Sequence, residues 1–358
     1  MPRVQRLPDR WAPGHTVHVL RDDDTGPLSN GGKRRKHASL VAGILSAGYS
    51  DAVVMGGRNS FNAAALVPLL AEHGITPWLV RHRPRSEAIP TLMDAVCSAV
   101  VPANRTVMLD EWDGGAAPWD PGFGGPDVKA SEPTTLGADG RAGAAATTSQ
   151  GRAASGLAAR LQGEPGRSAI IVPEGACCSL AVPGAATLGA DIASSLATLP
   201  QVSTVVMDAG TGLTAAAAIA GLRVALGQRP CRIVVVDMTG AAATWLGALG
   251  ELCQRGIAEA CGGADASPGS AVCVSVERPA SGRSFGSVNA SVRAELIRAA
   301  EMAGVITEPV YGAKLLHTCR HSVLPSVHDG EVLVVLSGGA HGLGGWAEWL
   351  ARGTDNQC

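Results

Sequence analysis

Short, unbroken apolar runs recur along the chain and alternate with longer Ala-rich stretches. The runs 51–55, 76–80, 168–172, 204–207, 232–236, 271–276 and 331–336 predict strands. They lack the polar alternation of a half-exposed sheet, as expected of strands covered on both faces of a parallel sheet. A further strand-like run, with Val17 and Val19, leads into Arg21-Asp22-Asp23. Between the runs, 39–47, 63–72, 214–225, 241–254 and 292–303 predict helices. Strand–helix alternation over this length predicts an α/β fold with mostly parallel sheets.

Residues 113–156 break the alternation. Gly, Ala, Pro, Ser and Thr dominate there, and the segment reads as a long surface loop or insertion with a weak helix near its end. No repeat of solenoid period is present.

Composition narrows the class. The 358 residues suffice for two packed domains or one large α/β unit. Hydrophobic residues make up 46% and charged residues 17%, so a sizeable core is expected and global disorder is not. A net charge of -2 argues against nucleic acid as the main partner. Nine cysteines without a Cys-x-x-Cys pair read as reduced thiols, not as a disulfide framework or a zinc site. The N-terminal stretch has no apolar signal region and no segment reads as a clean membrane span, so a cytoplasmic location is expected. Aromatic residues are only 3%, so the core must be packed from Ala, Val and Leu.

Five segments carry candidate chemistry. In Gly31-Gly32-Lys33-Arg34-Arg35-Lys36-His37, a lysine follows two glycines at the mouth of a helix. Glycine permits tight turning and close approach of a ligand. A partly desolvated lysine among cations has a depressed pKa and serves as an amine nucleophile. The other reading of the same run is a basic patch on a solvated face. Gly210-Thr211-Gly212-Leu213-Thr214 follows a buried strand and opens a helix, placing backbone N–H groups and hydroxyls where a phosphate binds. It has neither the Gly-Lys-Ser/Thr of a P-loop nor the glycine spacing of a dinucleotide site, so a monophosphate fits better. Gly56-Gly57-Arg58-Asn59-Ser60-Phe61-Asn62 sets a hydroxyl and two amides at another helix start, where at least one of them caps the helix. Ser337-Gly338-Gly339 ends the last strand, where α/β sheets bind ligands, and Glu308-Pro309-Val310-Tyr311 places a tyrosine beside a turn. A reactive lysine together with a monophosphate cradle points to pyridoxal 5'-phosphate (PLP).

These segments, taken in order, resemble the 1-aminocyclopropane-1-carboxylate (ACC) deaminase / D-cysteine desulfhydrase family of fold type II, tryptophan-synthase-β-like PLP enzymes. The resemblance runs from about residue 17 to 345 and includes Pro173-Glu174-Gly175 and Lys314. It implies two three-layer α/β/α domains with the cofactor in the cleft between them. The large domain would comprise 1–45 and 165–358, and the small domain 46–164. It implies that Lys33 carries PLP covalently, that Lys36 helps hold the phosphate, and that Gly210, Thr211, Gly212 and Thr214 form the phosphate loop. Ser60 would face the cofactor for proton transfer or carboxylate binding, and Tyr311 would be an active-site tyrosine. Ser337 would lie near the pyridine nitrogen, where a neutral hydroxyl leaves that nitrogen unprotonated and favours β-elimination or β-replacement.

The chain departs from the family pattern in several places. Phe61 stands where the family has the asparagine that contacts the cofactor's ring oxygen, and Asn62 is the substitute one residue on. Gly312 replaces the deaminase's glutamate, Phe285 replaces a second tyrosine, and Ala176-Cys177-Cys178 replaces Gly-Ser-Asn. The expected activity is a PLP-dependent lyase that converts a small amino acid to a 2-oxo acid and ammonia by α,β-elimination, in a homodimer. The alternatives are β-replacement, racemisation, or PLP binding without turnover.

Overall fold

In the computed structural model, the described residues are 2–26, 31–82, 91–110, 148–240, 246–247, 249–251, 253–254, 257, 271–346 and 349–350. Of the expected helix 241–254, the described residues 246–247, 249–251 and 253–254 are helical, and most of the 113–156 loop lies outside the described residues. The chain divides into two compact units, residues 1–35 with 185–358 and residues 36–184.

The first unit is built on a six-stranded sheet. Its strands are β1 (Arg3–Arg6), β2 (Val17–Arg21), β7 (Val202–Ala209), β8 (Cys231–Asp237), β9 (Val272–Glu277) and β10 (Glu331–Leu336), in the order β1-β2-β10-β7-β8-β9. All pairings are parallel except that of β1 with β2. Alternate residues of β10 feed separate cores. Val332, Val334 and Leu336 join Trp11, Ala299, Leu315 and Leu316 on one face. Leu333 and Val335 join Leu188, Ile192, Ala218 and Leu222 on the other. This two-sided burial explains the unbroken apolar runs and makes the unit a three-layer sandwich.

The second unit holds a four-stranded parallel sheet, β5-β4-β3-β6, from β3 (Asp51–Met55), β4 (Thr76–His82), β5 (Thr106–Leu109) and β6 (Ala169–Val172). One face packs on α4 (Ser149–Gln162) through Ala154, Leu157 and Leu161. Helices α2 (Phe61–Glu72) and α3 (Leu92–Val100) also belong to this unit, with α2 packed on β3 and β4. Because β6 pairs with β3, this unit extends to Gly184, beyond the expected boundary at 164.

The low aromatic content has a structural counterpart where α5 (Val182–Thr198) meets α6 (Leu213–Leu226). A Cβ on Gly189 would overlap the Ala218 carbonyl, and one on Gly221 would overlap the Ala186 carbonyl. The two backbones therefore touch without side chains between them. One stretch, Ser179–Thr198, is long and apolar enough to cross a membrane by length and composition, contrary to expectation. Its Leu188, Ile192 and Leu196 are buried in the sheet core.

Candidate active site

Helix α1 (Gly31–Ser46) begins eight residues before the expected helix, so Lys33 lies in its first turn. Gly31 starts it at φ +54, a left-handed conformation that suits glycine, and a Cβ there would overlap the Ser337 carbonyl. A Cβ on Gly32 would come within 2.5 Å of the Thr214 methyl. The two glycines thus let α1 start directly against both the strand end that carries Ser337 and the loop that carries Thr214.

Lys33 is partly buried. Burial pushes its ammonium below the ordinary lysine value, against the opposing pull of Asp208, Glu308 and Asp22. Each of these carboxyls is in turn raised by burial. They come from separate elements and are satisfied differently. Asp22, fully buried just after β2, accepts from Arg35 at 2.8 and 3.0 Å. Glu308, before the short helix Gly312–Thr318, accepts from the backbone N–H groups of Val310, Tyr311 and Gly312 at 2.7 to 2.8 Å. Asp208, near the C-terminal end of β7, accepts from the Ser337 hydroxyl at 2.8 Å.

The Gly210–Thr214 loop lies between β7 and α6. Gly212 caps α6 at φ +91 without a side-chain hydrogen bond, so the helix's first amides are left uncapped by side chains. With the helix dipole, these amides are suited to an anion. Thr239 Oγ1 donates to the Gly210 carbonyl and braces the loop from the end of β8. The Tyr311 hydroxyl lies 3.1 Å from where a Cβ on Gly210 would be, so loop and tyrosine are in close contact. Phe285 meets the Tyr311 ring edge-on at 6.0 Å. Gly312 has no space for a side chain, since its Cβ would overlap Thr307 Oγ1.

The basic run is not a uniform solvated face. Arg35 is held by Asp22, Asp191 and Thr187, and exposed Arg34 donates to the Thr25 carbonyl. Lys36, in the second unit, donates to the Gly175 carbonyl at 2.6 Å.

Also in the second unit, Ser60 is the N-cap of α2, accepting from the Ala63 amide at 3.1 Å. Capping uses the oxygen as acceptor and leaves the hydroxyl proton for another partner. Asn62 is buried, its Oδ1 3.0 Å from His37 Nε2, while its Nδ2 has no hydrogen-bond partner. A buried amide with an unused donor has hydrogen-bonding capacity to offer a ligand or a water. His37 and Asp208 were not singled out from sequence. Asp208 sits inside an apolar strand run, and its nearness to Ser337 depends on β7 and β10 being neighbours.

No metal-ligating cluster of His, Cys, Asp and Glu occurs among the described residues. Cys97, Cys178 and Cys231 are pushed up to about 11 and Cys253 to about 12 by burial, so these thiols are poor nucleophiles.

No protein-family model matches the chain. Over 92 residues, 25% of its length, it is 37% identical to "Putative D-cysteine desulfhydrase 2, mitochondrial" of Oryza sativa subsp. japonica, and the match spans 22% of that protein. The crystal structure of an ACC deaminase homologue superposes with a TM-score of 0.69 and 18% identity, covering 98% of this chain and 93% of its own. A pyridoxal 5'-phosphate-dependent aspartate racemase gives a TM-score of 0.54 at 11% identity, covering 94% and 90%. At these identities the likeness is one of fold. The chain has the two-domain, mostly parallel α/β fold of the fold type II PLP enzymes.

Proposed function

We propose that the protein is a PLP-dependent lyase of the D-cysteine desulfhydrase or ACC deaminase kind, converting a small amino acid to a 2-oxo acid and ammonia. The observation that carries this reading is Lys33. Its amine is pushed toward the neutral, nucleophilic form by burial, and the helix turn that bears it rests on the loop at the uncapped start of α6. A Schiff-base lysine and a phosphate cradle are the two attachments that PLP requires, and the cofactor, when bound, supplies the electron sink for carbanion chemistry.

In this reading the amides at the start of α6, with Thr211 and Thr214, hold the phosphate. Lys33 would hold the cofactor through its amine, and Lys33, once freed, or Ser60 would take the α-proton of the substrate. The free donor of Asn62 has the polarity to meet the cofactor's ring oxygen or a substrate carboxylate. Lys36, engaged with the Gly175 carbonyl, would support the phosphate by charge. The Tyr311 hydroxyl, close to Gly210, would support the phosphate loop.

The test is reconstitution with PLP followed by borohydride reduction and peptide mapping. A label on Lys33, absent from Lys33→Ala, together with 2-oxo acid release from a D- or L-amino acid, supports the lyase. Label without 2-oxo acid release, but with exchange of the β-substituent for an added thiol, replaces it with a β-replacement enzyme. Failure to label Lys33 overturns the assignment.

A further inference from the structure

The pairing of Asp208 with Ser337 decides which way the Ser337 hydroxyl points. Its proton goes to Asp208 Oδ1 at 2.8 Å, so the serine oxygen has only lone pairs to offer a ligand. A ring nitrogen that meets this oxygen must therefore bring its own proton. This is the reverse of what a serine alone at that position implies.

The surrounding charges favour the same outcome. Three carboxyls, Asp22, Asp208 and Glu308, act on Lys33. Asp22 is matched by the Arg35 guanidinium, and Glu308 by three backbone N–H groups. Asp208 has the neutral Ser337 hydroxyl, a backbone N–H and, when Lys33 is protonated, its charge. A carboxylate in such a place is costly without a nearby positive charge, and a protonated ring nitrogen beyond the serine would provide one.

We propose that Asp208, acting through Ser337, keeps the pyridine nitrogen of the bound cofactor protonated. This rests on the PLP reading and deepens it. Asp208 is a positioning residue, since it touches Ser337 and not the ring. A protonated ring withdraws electrons from the reacting carbon more strongly than a neutral one, so this site would stabilise a substrate carbanion more than a serine-only site does.

The experiment is 15N NMR of protein reconstituted with PLP labelled at the ring nitrogen, at neutral pH, with borohydride labelling of Lys33 run on the same samples. Wild type is expected to show a protonated pyridine nitrogen. Asp208→Asn and Ser337→Ala, each still labelled at Lys33, are expected to move that resonance to the unprotonated position. An unprotonated nitrogen in labelled wild-type protein overturns the inference and leaves the PLP reading intact, whether or not the variants fold. A nitrogen that stays protonated in labelled Asp208→Asn overturns it as well, and one that stays protonated in Ser337→Ala removes the relay. Wild-type protein that takes no label at Lys33 overturns both the function and the inference.

Discussion

Arg35, two residues beyond Lys33, clasps Asp22, with Nε 3.0 Å and Nη2 2.8 Å from Asp22 Oδ1. The same guanidinium reaches Asp191 at 2.5 Å and Thr187 at 2.8 Å, so one side chain ties the end of β2 to α5. Asp22 is fully buried and Arg35 nearly so. Arg35→Ala would leave the carboxylate buried without its cation, which costs about 3–5 kcal/mol. Urea unfolding of the apo protein measures this. Arg35→Lys should recover less than half of the loss, because an ammonium cannot reproduce the fork. A loss under about 1 kcal/mol would mean that the pair behaves as a solvated surface bridge.

The contact of α5 with α6 gives a sharper packing prediction. At Gly189 the obstacle is the backbone of the facing helix, which cannot rotate out of the way as a side chain can. Gly189→Val should destabilise by about 3 kcal/mol or more, at or above the upper end of ordinary overpacking. Gly247, where a Cβ would meet nothing within 4 Å, is the matched control, and Gly247→Ala should be neutral within about 0.5 kcal/mol. Equal effects at the two sites in a thermal melt would refute the helix contact.

Lys33 should reveal itself by its pH profile before any substrate is known. Only the neutral amine attacks an aldehyde, so reactivity falls as pH drops through the lysine's pKa. Burial lowers that pKa from the ordinary 10.5, so the midpoint for Lys33 should lie below that of an unperturbed lysine. Asp208 pulls the other way by stabilising the ammonium, so Asp208→Asn should lower the midpoint further. Formaldehyde with cyanoborohydride, read peptide by peptide, gives both profiles. A midpoint at or above 10.5 would remove the case for Lys33 as a preactivated amine.

What was legible in the sequence follows from burial. Strands such as β3 and β10 run through the middle of their sheets and read as pure apolar runs at the correct bounds. Strands β1 and β5 escaped because they are four-residue edges, and β1 also mixes cations with apolar positions as a loop does. The start of α1 was missed because its first two turns are glycine and cations. Those turns are held by Ser337, Thr214 and Asp22, contacts with distant sequence that local propensity does not express. Helix α5 was not among the expected helices, although Ala185, Leu188, Ile192 and Leu196 recur at helical spacing; Pro183 and Gly184 in its first turn read as a loop. At the site, Lys33, Ser337 and the Gly210–Thr214 loop could be read because each interrupts a strand–helix rhythm with glycine. Asp208 could not, because its role depends on the neighbouring strand. Gly312 reads in sequence as a lost glutamate, whereas the structure shows Thr307 occupying the space.

Asn62 offers the last test, because stability and ligand binding should respond differently. Its Oδ1 engages His37, which is worth about 0.5–1.5 kcal/mol, while its buried Nδ2 goes unanswered at about 1–3 kcal/mol. Asn62→Leu removes both contributions and keeps much of the volume, while buried His37 Nε2 loses this partner at a cost of the same order as the relieved donor. The apo protein should therefore change by less than about 1.5 kcal/mol. Retention of PLP, measured by equilibrium dialysis, should weaken by about tenfold if the donor meets the cofactor, the equivalent of one good hydrogen bond. Marked destabilisation of apo Asn62→Leu would show that the amide is a structural tie. Unchanged PLP retention would remove Asn62 from the proposed cofactor contacts and leave the ring-oxygen role without a residue at this helix start.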